Sequence, residues 1–230
     1  MLQVKRTENK YILNRREASF LESRLDAIMP RDPHSTSSRG YEIRSLYFDT
    51  VTDRCCAEKD EGLQIHEKIR LRIYGSSDRI IKLECKHKVG AMQTKKSMFV
   101  DRATCDALSR GDYSVLRDSQ DPQARFFYHK LCRGMVPKVI ISYQRLSFCI
   151  PTNNIRITFD TEVRATESCL DLFAEPFRPH PVFPPDMVIL EVKFNNFLLS
   201  YIKSALECIS RSSTSCSKYF SGRQFYRHLL

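Results

Sequence analysis

The tightest constraint in this sequence is a period-two alternation of charge and hydrocarbon that recurs in separate segments. Lys68, Arg70 and Arg72 alternate with Ile69, Leu71 and Ile73, and Lys82, Glu84, Lys86 and Lys88 alternate with Ile81, Leu83 and Cys85. Arg156, Thr158, Asp160 and Glu162 alternate with Ile155, Ile157, Phe159 and Val163, and Glu191 and Lys193 with Leu190, Val192 and Phe194. Arg6, Glu8 and Lys10 continue the theme near the start. A period of two belongs to the β-strand, whose successive side chains point to opposite faces, so each charged set occupies one face. Such a chain folds around strands that are apolar on one side and ionic on the other.

Two architectures satisfy that pattern. In one, the charged faces are the solvated outside of an open sheet that rests on helices. In the other, the sheet closes into a barrel, the charged faces line its bore, and the apolar faces pack outward against helices. Charge inside a bore must be paired or must bind a counter-ion, because unpaired buried charge is very costly. The faces hold more cations than carboxylates, so a bore built from them would draw in a polyanion. Periodicity alone leaves both open.

Strands are expected at Val4–Leu13, Tyr41–Asp49, Glu67–Tyr74, Arg79–Lys88, Lys95–Val100, Lys138–Ile150, Asn154–Ala165 and Met187–Phe194. Helices are expected at Arg15–Ile28, with Asn14 as N-cap and Phe20, Leu21, Leu25 and Ile28 at helical spacing, and at Asp101–Ser109, Asp121–Cys132, Ser200–Ser210 and Ser217–Leu229. Many strands with interspersed helices read as α+β with a mainly antiparallel sheet. Pro30–Gly40 and Pro176–Pro185 read as loops. Neither separates halves of different composition, so residues 1–230 are expected to form a single domain.

The formal net charge of +10 is spread along the chain rather than gathered in a tail, and it directs attention to anionic partners. No nucleic-acid recognition motif is present and there is no Trp, so nucleic acid is not an expected partner. Nine cysteines include no Cys-x-x-Cys spacing, and six histidines show no metal spacing. The first residues, MLQVKRTENK, contain no apolar run of a signal peptide, and the expected location is cytoplasmic with reduced thiols. No apolar segment approaches the roughly 20 residues of a membrane span, so membrane contact is expected only through an associated partner. Seven glycines form neither a P-loop nor a Rossmann fingerprint. Phosphates would therefore be held by side chains, the arginine fork and the lysine point charge.

Nine segments in order carry a resemblance: RTENKY (from Arg6), RSLYFDT (from Arg44), KIRLRIYG (from Lys68), IKLECKHK (from Ile81), TKKSMF (from Thr94), SYQRLSF (from Ser142), IRITFDTEV (from Ile155), ILEVKF (from Ile189) and CSKYFSG (from Cys216). Together they resemble the vacuolar transporter chaperone (VTC) domain of the polyphosphate polymerase family, within the triphosphate tunnel metalloenzyme superfamily, from Arg6 to about Gly222. The resemblance implies an antiparallel β-barrel (tunnel) with helices packed outside. It implies an enzyme that transfers the terminal phosphoryl group of ATP to a growing polyphosphate chain, with Mn2+ or Mg2+ as cofactor. Arg70, Arg72, Lys86, Arg145 and Arg156 would hold the triphosphate. Lys10, Lys82, Lys96 and Lys218 would line the path, and Tyr143 and Ser217 would donate hydrogen bonds. Glu191 would hold the metal, with Glu8 as second candidate, followed by Asp160 and Glu162.

The attacking group would be a phosphate oxygen, largely deprotonated near neutrality, so no protein base is needed. The alternatives are a triphosphate hydrolase of the same tunnel fold and a non-catalytic polyphosphate-binding module. Hydrolases of that superfamily resemble one another in an opening Glu-x-Glu-x-Lys. Here Arg6 replaces the first carboxylate, which favours the polymerase branch. Without spans or an appended domain, the chain looks like a free-standing bacterial version.

Overall fold

The structure is a computed structural model and describes residues 6–35, 37–90, 92–209 and 212–227. Nine strands and six α-helices are described. The strands are β1 (Arg6–Asn14), β2 (Tyr41–Thr50), β3 (Ile65–Tyr74), β4 (Ser77–Val89), β5 (Met92–Val100), β6 (Met135–Ile150), β7 (Ile155–Thr166), β8 (His180–Pro181) and β9 (Met187–Asn195). The helices are α1 (Arg15–Asp26), α2 (Arg54–Asp60), α3 (Arg102–Ser109), α4 (Pro122–Leu131), α5 (Ser200–Leu206) and α6 (Lys218–Arg227). Hydrogen-bonded neighbours follow the order β1-β9-β7-β6-β2-β3-β4-β5, with β8 beside β7. The class is α+β with an antiparallel sheet, as the alternation requires.

All eight expected strands are present. Two elements were not expected: α2, a single short helix, and β8, which lies inside the second proline-rich loop and pairs with Arg164 and Ala165. Val4 and Lys5 of the first expected strand, Ser210, and residues 228–229 of the last expected helix lie outside the described residues. Among the described residues, no helix is long and apolar enough to cross a membrane.

The chain divides into two compact units, each assembled from three stretches. The first unit comprises Met1–Glu42, Tyr143–Val163 and Phe183–Ser217. Its strands alternate as the sequence demands. Leu13, Leu146, Phe148, Ile155, Ile157, Phe159, Val188, Leu190 and Val192 form one apolar side, which α1 covers with Ala18, Leu21 and Leu25 and α5 with Ile202 and Ala205. Each fully buried large aliphatic side chain contributes about 1.5–3 kcal/mol. Helix α1 begins where expected because Asn14 and Glu17 form a reciprocal capping box, Asn14 Oδ1 accepting from Glu17 N at 2.9 Å and Glu17 Oε2 from Asn14 N at 2.8 Å. It ends at Asp26, leaving Ile28 outside, and Phe20 is 58% exposed. The expected apolar stripe is therefore narrower and rests on Ala18, Leu21 and Leu25.

The second unit comprises Ile43–Ser142, Arg164–Val182 and Lys218–Leu230. Its apolar side holds Leu46, Phe48, Ile69, Leu71, Ile73, Ile81, Leu83 and Cys85. Helix α3 packs on β4 and α4 on β5. Both helices are capped by aspartate: Asp101 accepts from Thr104 N at 2.8 Å, and Asp121 from Gln123 N at 2.7 Å, with Pro122 in the first turn. Asp49 receives two amides from the first turn of α2, from Cys55 N at 2.8 Å and Cys56 N at 3.1 Å.

Candidate functional site: two ionic strand faces

In the second unit, cross-strand register puts Arg72 opposite Ser45 and Lys82, Arg70 opposite Tyr47 and Glu84, and Lys68 opposite Lys86. Lys86 in turn faces Lys95, and Lys88 faces Gln93. Directly opposite residues share a face. Along the regularly paired stretch of β3–β5, Lys68, Arg70, Arg72, Lys82, Lys86, Lys88 and Lys95 therefore share one face with a single carboxylate, Glu84.

Glu84 is 1% exposed. Arg70 Nε donates to it at 2.8 Å, Arg72 Nε lies 3.6 Å away, and Lys95 forms a short ion pair with its other oxygen. Burial works against its ionisation. Arg70 and Lys95 outweigh burial and hold the carboxyl down at about 2. Arg70 also donates to Tyr47 Oη at 2.8 Å, and Tyr47 stacks on Tyr219 with ring centres 5.0 Å apart. Tyr219, 2% exposed, donates its hydroxyl to Asp49. Burial pushes the Tyr219 phenol far up, and the Asp49 carboxylate adds to the effect. Arg72 differs from these neighbours. Its side chain is 11% exposed, and its buried Nε makes no hydrogen bond. A buried donor without a hydrogen-bond partner on a cationic face is one that an anion could satisfy.

In the first unit, register puts Lys10 and Thr158 opposite Glu191, and Glu8 and Arg156 opposite Lys193. Glu191 is 5% exposed. Lys193 Nζ donates to its Oε2 at 2.7 Å, Lys10 Nζ stands 3.4 Å from its Oε1, and Arg145 Nη2 stands 3.7 Å from Oε2. Glu8 shares both lysines, at 3.5 Å from Lys10 and 3.8 Å from Lys193. Arg145 makes a two-pronged bond to the fully buried Asp160, 2.6 and 2.7 Å, and its guanidinium lies 5.2 Å from the Tyr143 ring centre. Burial alone would lower the Arg145 pKa, but Asp160 reverses this and raises it well above its ordinary value. Arg156 turns elsewhere, donating to Ser147 Oγ at 3.1 Å, Asp32 Oδ2 at 2.8 Å and Tyr41 Oη at 3.0 Å. Thr158 Oγ1, across from Glu191, is buried without a hydrogen bond.

The expected site residues thus fall into two groups. Arg70, Arg72, Lys82 and Lys86 gather around Glu84. Lys10, Glu8, Arg145, Tyr143 and Glu191 gather on the other face, with Arg156 turned toward Asp32. Ser217 immediately follows Cys216, whose carbonyl accepts from Lys10 Nζ at 3.1 Å, and Lys218 opens α6. Lys96 does not join the cations: register sets it opposite the buried Cys85, on the helix-covered side, with its ammonium 4.0 Å from the Phe126 ring centre. Lys95, its neighbour, takes the place on the ionic face. Second-tier Asp160 is committed to Arg145, and Glu162 sits in a left-handed turn of β7 (φ 51°) that interrupts the alternation. The sequence reading also left Tyr47, Lys193 and Tyr219 unassigned. The Ser-Lys-Tyr segment was the available signal for Tyr219.

The two faces differ in charge balance. The Glu84 face is overwhelmingly cationic. The Glu191 face matches Lys10, Lys193, Arg145 and Arg156 with Glu8, Glu191, Asp160 and Asp32. Among the described residues, no three His, Cys, Asp or Glu side chains are grouped to enclose a metal by themselves. Glu8 and Glu191 could nevertheless hold Mn2+ or Mg2+. They offer oxygen donors only, they flank one ammonium at distances too long for hydrogen bonds, and such cations are commonly held by one or two carboxylates plus substrate phosphates.

Among solved structures, a candidate adenylate cyclase from Bacillus halodurans superposes with a TM-score of 0.51 at 10% identity, covering 93% of this chain and 95% of its own. A protein from Pyrococcus horikoshii gives 0.48 at 12% identity over 96% and 99% of the two chains, and a candidate adenylate cyclase from Vibrio parahaemolyticus gives 0.46 at 11% over 88% and 84%. The first of these shares the fold. No curated protein matches. The family model described as the VTC domain matches residues 5–227. The chain belongs to the VTC domain family.

Proposed function

We propose that this chain is an ATP–polyphosphate phosphotransferase. The carrying observation is Arg72: a nearly buried guanidinium with an orphaned Nε–H on a face where seven cations share one carboxylate. Like charges on directly opposite strand positions oppose pairing by roughly 0.2–1 kcal/mol each. A polyphosphate strand, with about one negative charge per phosphate, relieves that repulsion at every residue it passes, and the arginine fork fits two phosphate oxygens.

In the reaction, a terminal oxygen of the polyphosphate chain attacks the γ-phosphorus of ATP. A new P–O bond forms, the bond to the β-phosphate oxygen breaks, and ADP leaves. Lys68, Arg70, Arg72 and Lys86 fix the phosphates and neutralise charge on the transferring group. Glu191 and Glu8 would hold Mn2+ or Mg2+, which supplies neutralisation of phosphate oxygens when bound. Tyr47 and Glu84 hold Arg70 in place, which keeps its fork aimed.

The purified chain, incubated with ATP and Mn2+ or Mg2+, should form polymer that runs as a ladder on a gel, with ADP released in equal amount. Release of free phosphate without polymer would assign the chain to the hydrolases. Cyclic nucleotide or no turnover with intact polyphosphate binding would overturn the proposal equally. Glu191→Gln should lower synthesis at least ~100-fold, the scale of removing a group that acts in the transition state, while leaving polyphosphate binding in place.

A further inference from the structure

The side of β3–β5 turned away from the seven cations carries a second polar site with an apolar margin. Its residues fall into cross-strand rows on one face. Ile65, Val89 and Met92 form the outermost row, Glu67, His87 and Thr94 the next, and Ile69, Cys85 and Lys96 the third. The second and third rows open on a cavity of about 140 Å³ that Phe126 and Lys130 of α4 close from the other side.

Within the cavity, Lys130 donates to Glu67 at 2.7 Å, which neutralises the one carboxylate present. Lys96 makes no ion pair with any described carboxylate; its ammonium lies on the Phe126 ring instead. His87 Nδ1 is buried, 3.6 Å from Glu67, and makes no hydrogen bond. Lys96 thus presents an uncompensated positive charge beside an orphaned imidazole nitrogen. The volume is enough for a tetrahedral oxyanion.

The outermost row is what defines the ligand. Ile65 is 58% exposed, Val89 45% and Met92 73%, and Leu63 beside them is 47% exposed. Neighbouring large hydrocarbons left in water mark a contact surface. A free phosphate would not use them, and a second copy of a chain with net charge +10 is repelled by its like. A phosphate group attached to hydrocarbon satisfies both rows at once.

We propose that this face docks on an anionic phospholipid surface. One lipid phosphate enters the cavity to meet Lys96 and His87, and Ile65, Val89 and Met92 rest at the boundary between headgroups and acyl chains. The contact needs no spanning helix and no partner protein, and it leaves the ionic face of β3–β5 pointing away from the lipid.

Co-sedimentation of the full chain with phosphatidylglycerol/phosphatidylcholine vesicles at physiological salt reads this out. The wild-type chain should bind these vesicles and not pure phosphatidylcholine. Lys96→Gln should weaken binding about fivefold, the value of one cation at an anionic surface. The double variant Ile65→Ser/Met92→Ser should weaken it at least ~10-fold through lost apolar burial, with an unchanged circular dichroism spectrum and unchanged polyphosphate synthesis. Lys82→Gln removes the same charge from the opposite face and should stay within about twofold of wild type, because that distance is screened. Equal losses from Lys96→Gln and Lys82→Gln would reduce the effect to diffuse basicity and sink the proposal. So would vesicle binding indifferent to Ile65→Ser/Met92→Ser, which would leave a site for free phosphate only. Sedimentation as a dimer that Met92→Ser disperses would give the row to a second copy and overturn it as well.

Discussion

Glu84→Gln is the substitution that reads the whole cationic face. The native carboxylate is 1% exposed, and Arg70, Arg72 and Lys95 converge on it. It ionises at about 2 instead of its ordinary 4.5, because Arg70 and Lys95 outweigh the cost of burial. That depression corresponds to about 3 kcal/mol of stabilisation of the folded, ionised form. Since the folded value is the lower one, this contribution is complete above the unfolded-state pKa and is lost as pH falls through about 2. Glutamine keeps the shape and removes the charge, so urea unfolding near neutral pH should show a loss of about 3 kcal/mol. The difference from wild type should shrink as the pH is lowered through the carboxylate range. Tripolyphosphate should restore more stability to the variant than it adds to wild type, because it supplies the anion that Arg70, Arg72 and Lys95 have lost. A variant as stable as wild type at neutral pH, or a difference that does not narrow in acid, would refute the electrostatic account of this face.

Arg145→Ala should cost about 3–5 kcal/mol in chemical denaturation, because it strands the fully buried Asp160. Arg145→Lys should recover only part of that loss, since an ammonium cannot reproduce the two-pronged bond of 2.6 and 2.7 Å. Gly40→Ala should cost more than ~2 kcal/mol, because Gly40 has φ +78° and a Cβ there would stand 2.0 Å from the Arg145 carbonyl oxygen. Gly222→Ala, whose nearest obstacle is the movable Cδ1 of Ile141 at 2.3 Å, should cost less in the same thermal or urea titration. Tyr219→Phe should lower stability by about 1–3 kcal/mol, because Asp49 loses the buried hydroxyl that it accepts while keeping the amides of α2.

The strands were legible because alternation is a local property that pleating turns directly into two faces. The helix starts at Asn14, Asp101 and Asp121 were legible for the same reason: a side chain reaches an amide two or three residues away. Helix α2 was not, since two amides of its first turn are held by Asp49 on a preceding strand and its seven residues show no apolar period. Nor was β8, two residues inside a proline-rich loop that acquire strand character only by lying against Arg164 and Ala165.

The sequence by itself determined the class of structure, the family, and the chemistry of each face, because residue type and a spacing of two are enough to separate hydrocarbon from charge. Only the tertiary structure decided which charges answer which. Lys95 and Lys96 are adjacent and chemically identical, yet register sends Lys95 to Glu84 and Lys96 to Phe126 on the other side of the sheet. A shift of one residue would exchange them. Arg70 and Arg72 look alike in sequence too, but Arg70 spends its fork on Glu84 and Tyr47 while Arg72 keeps a buried donor unused. The difference lies in partners brought from distant strands, and a linear chain does not encode those contacts until it has folded.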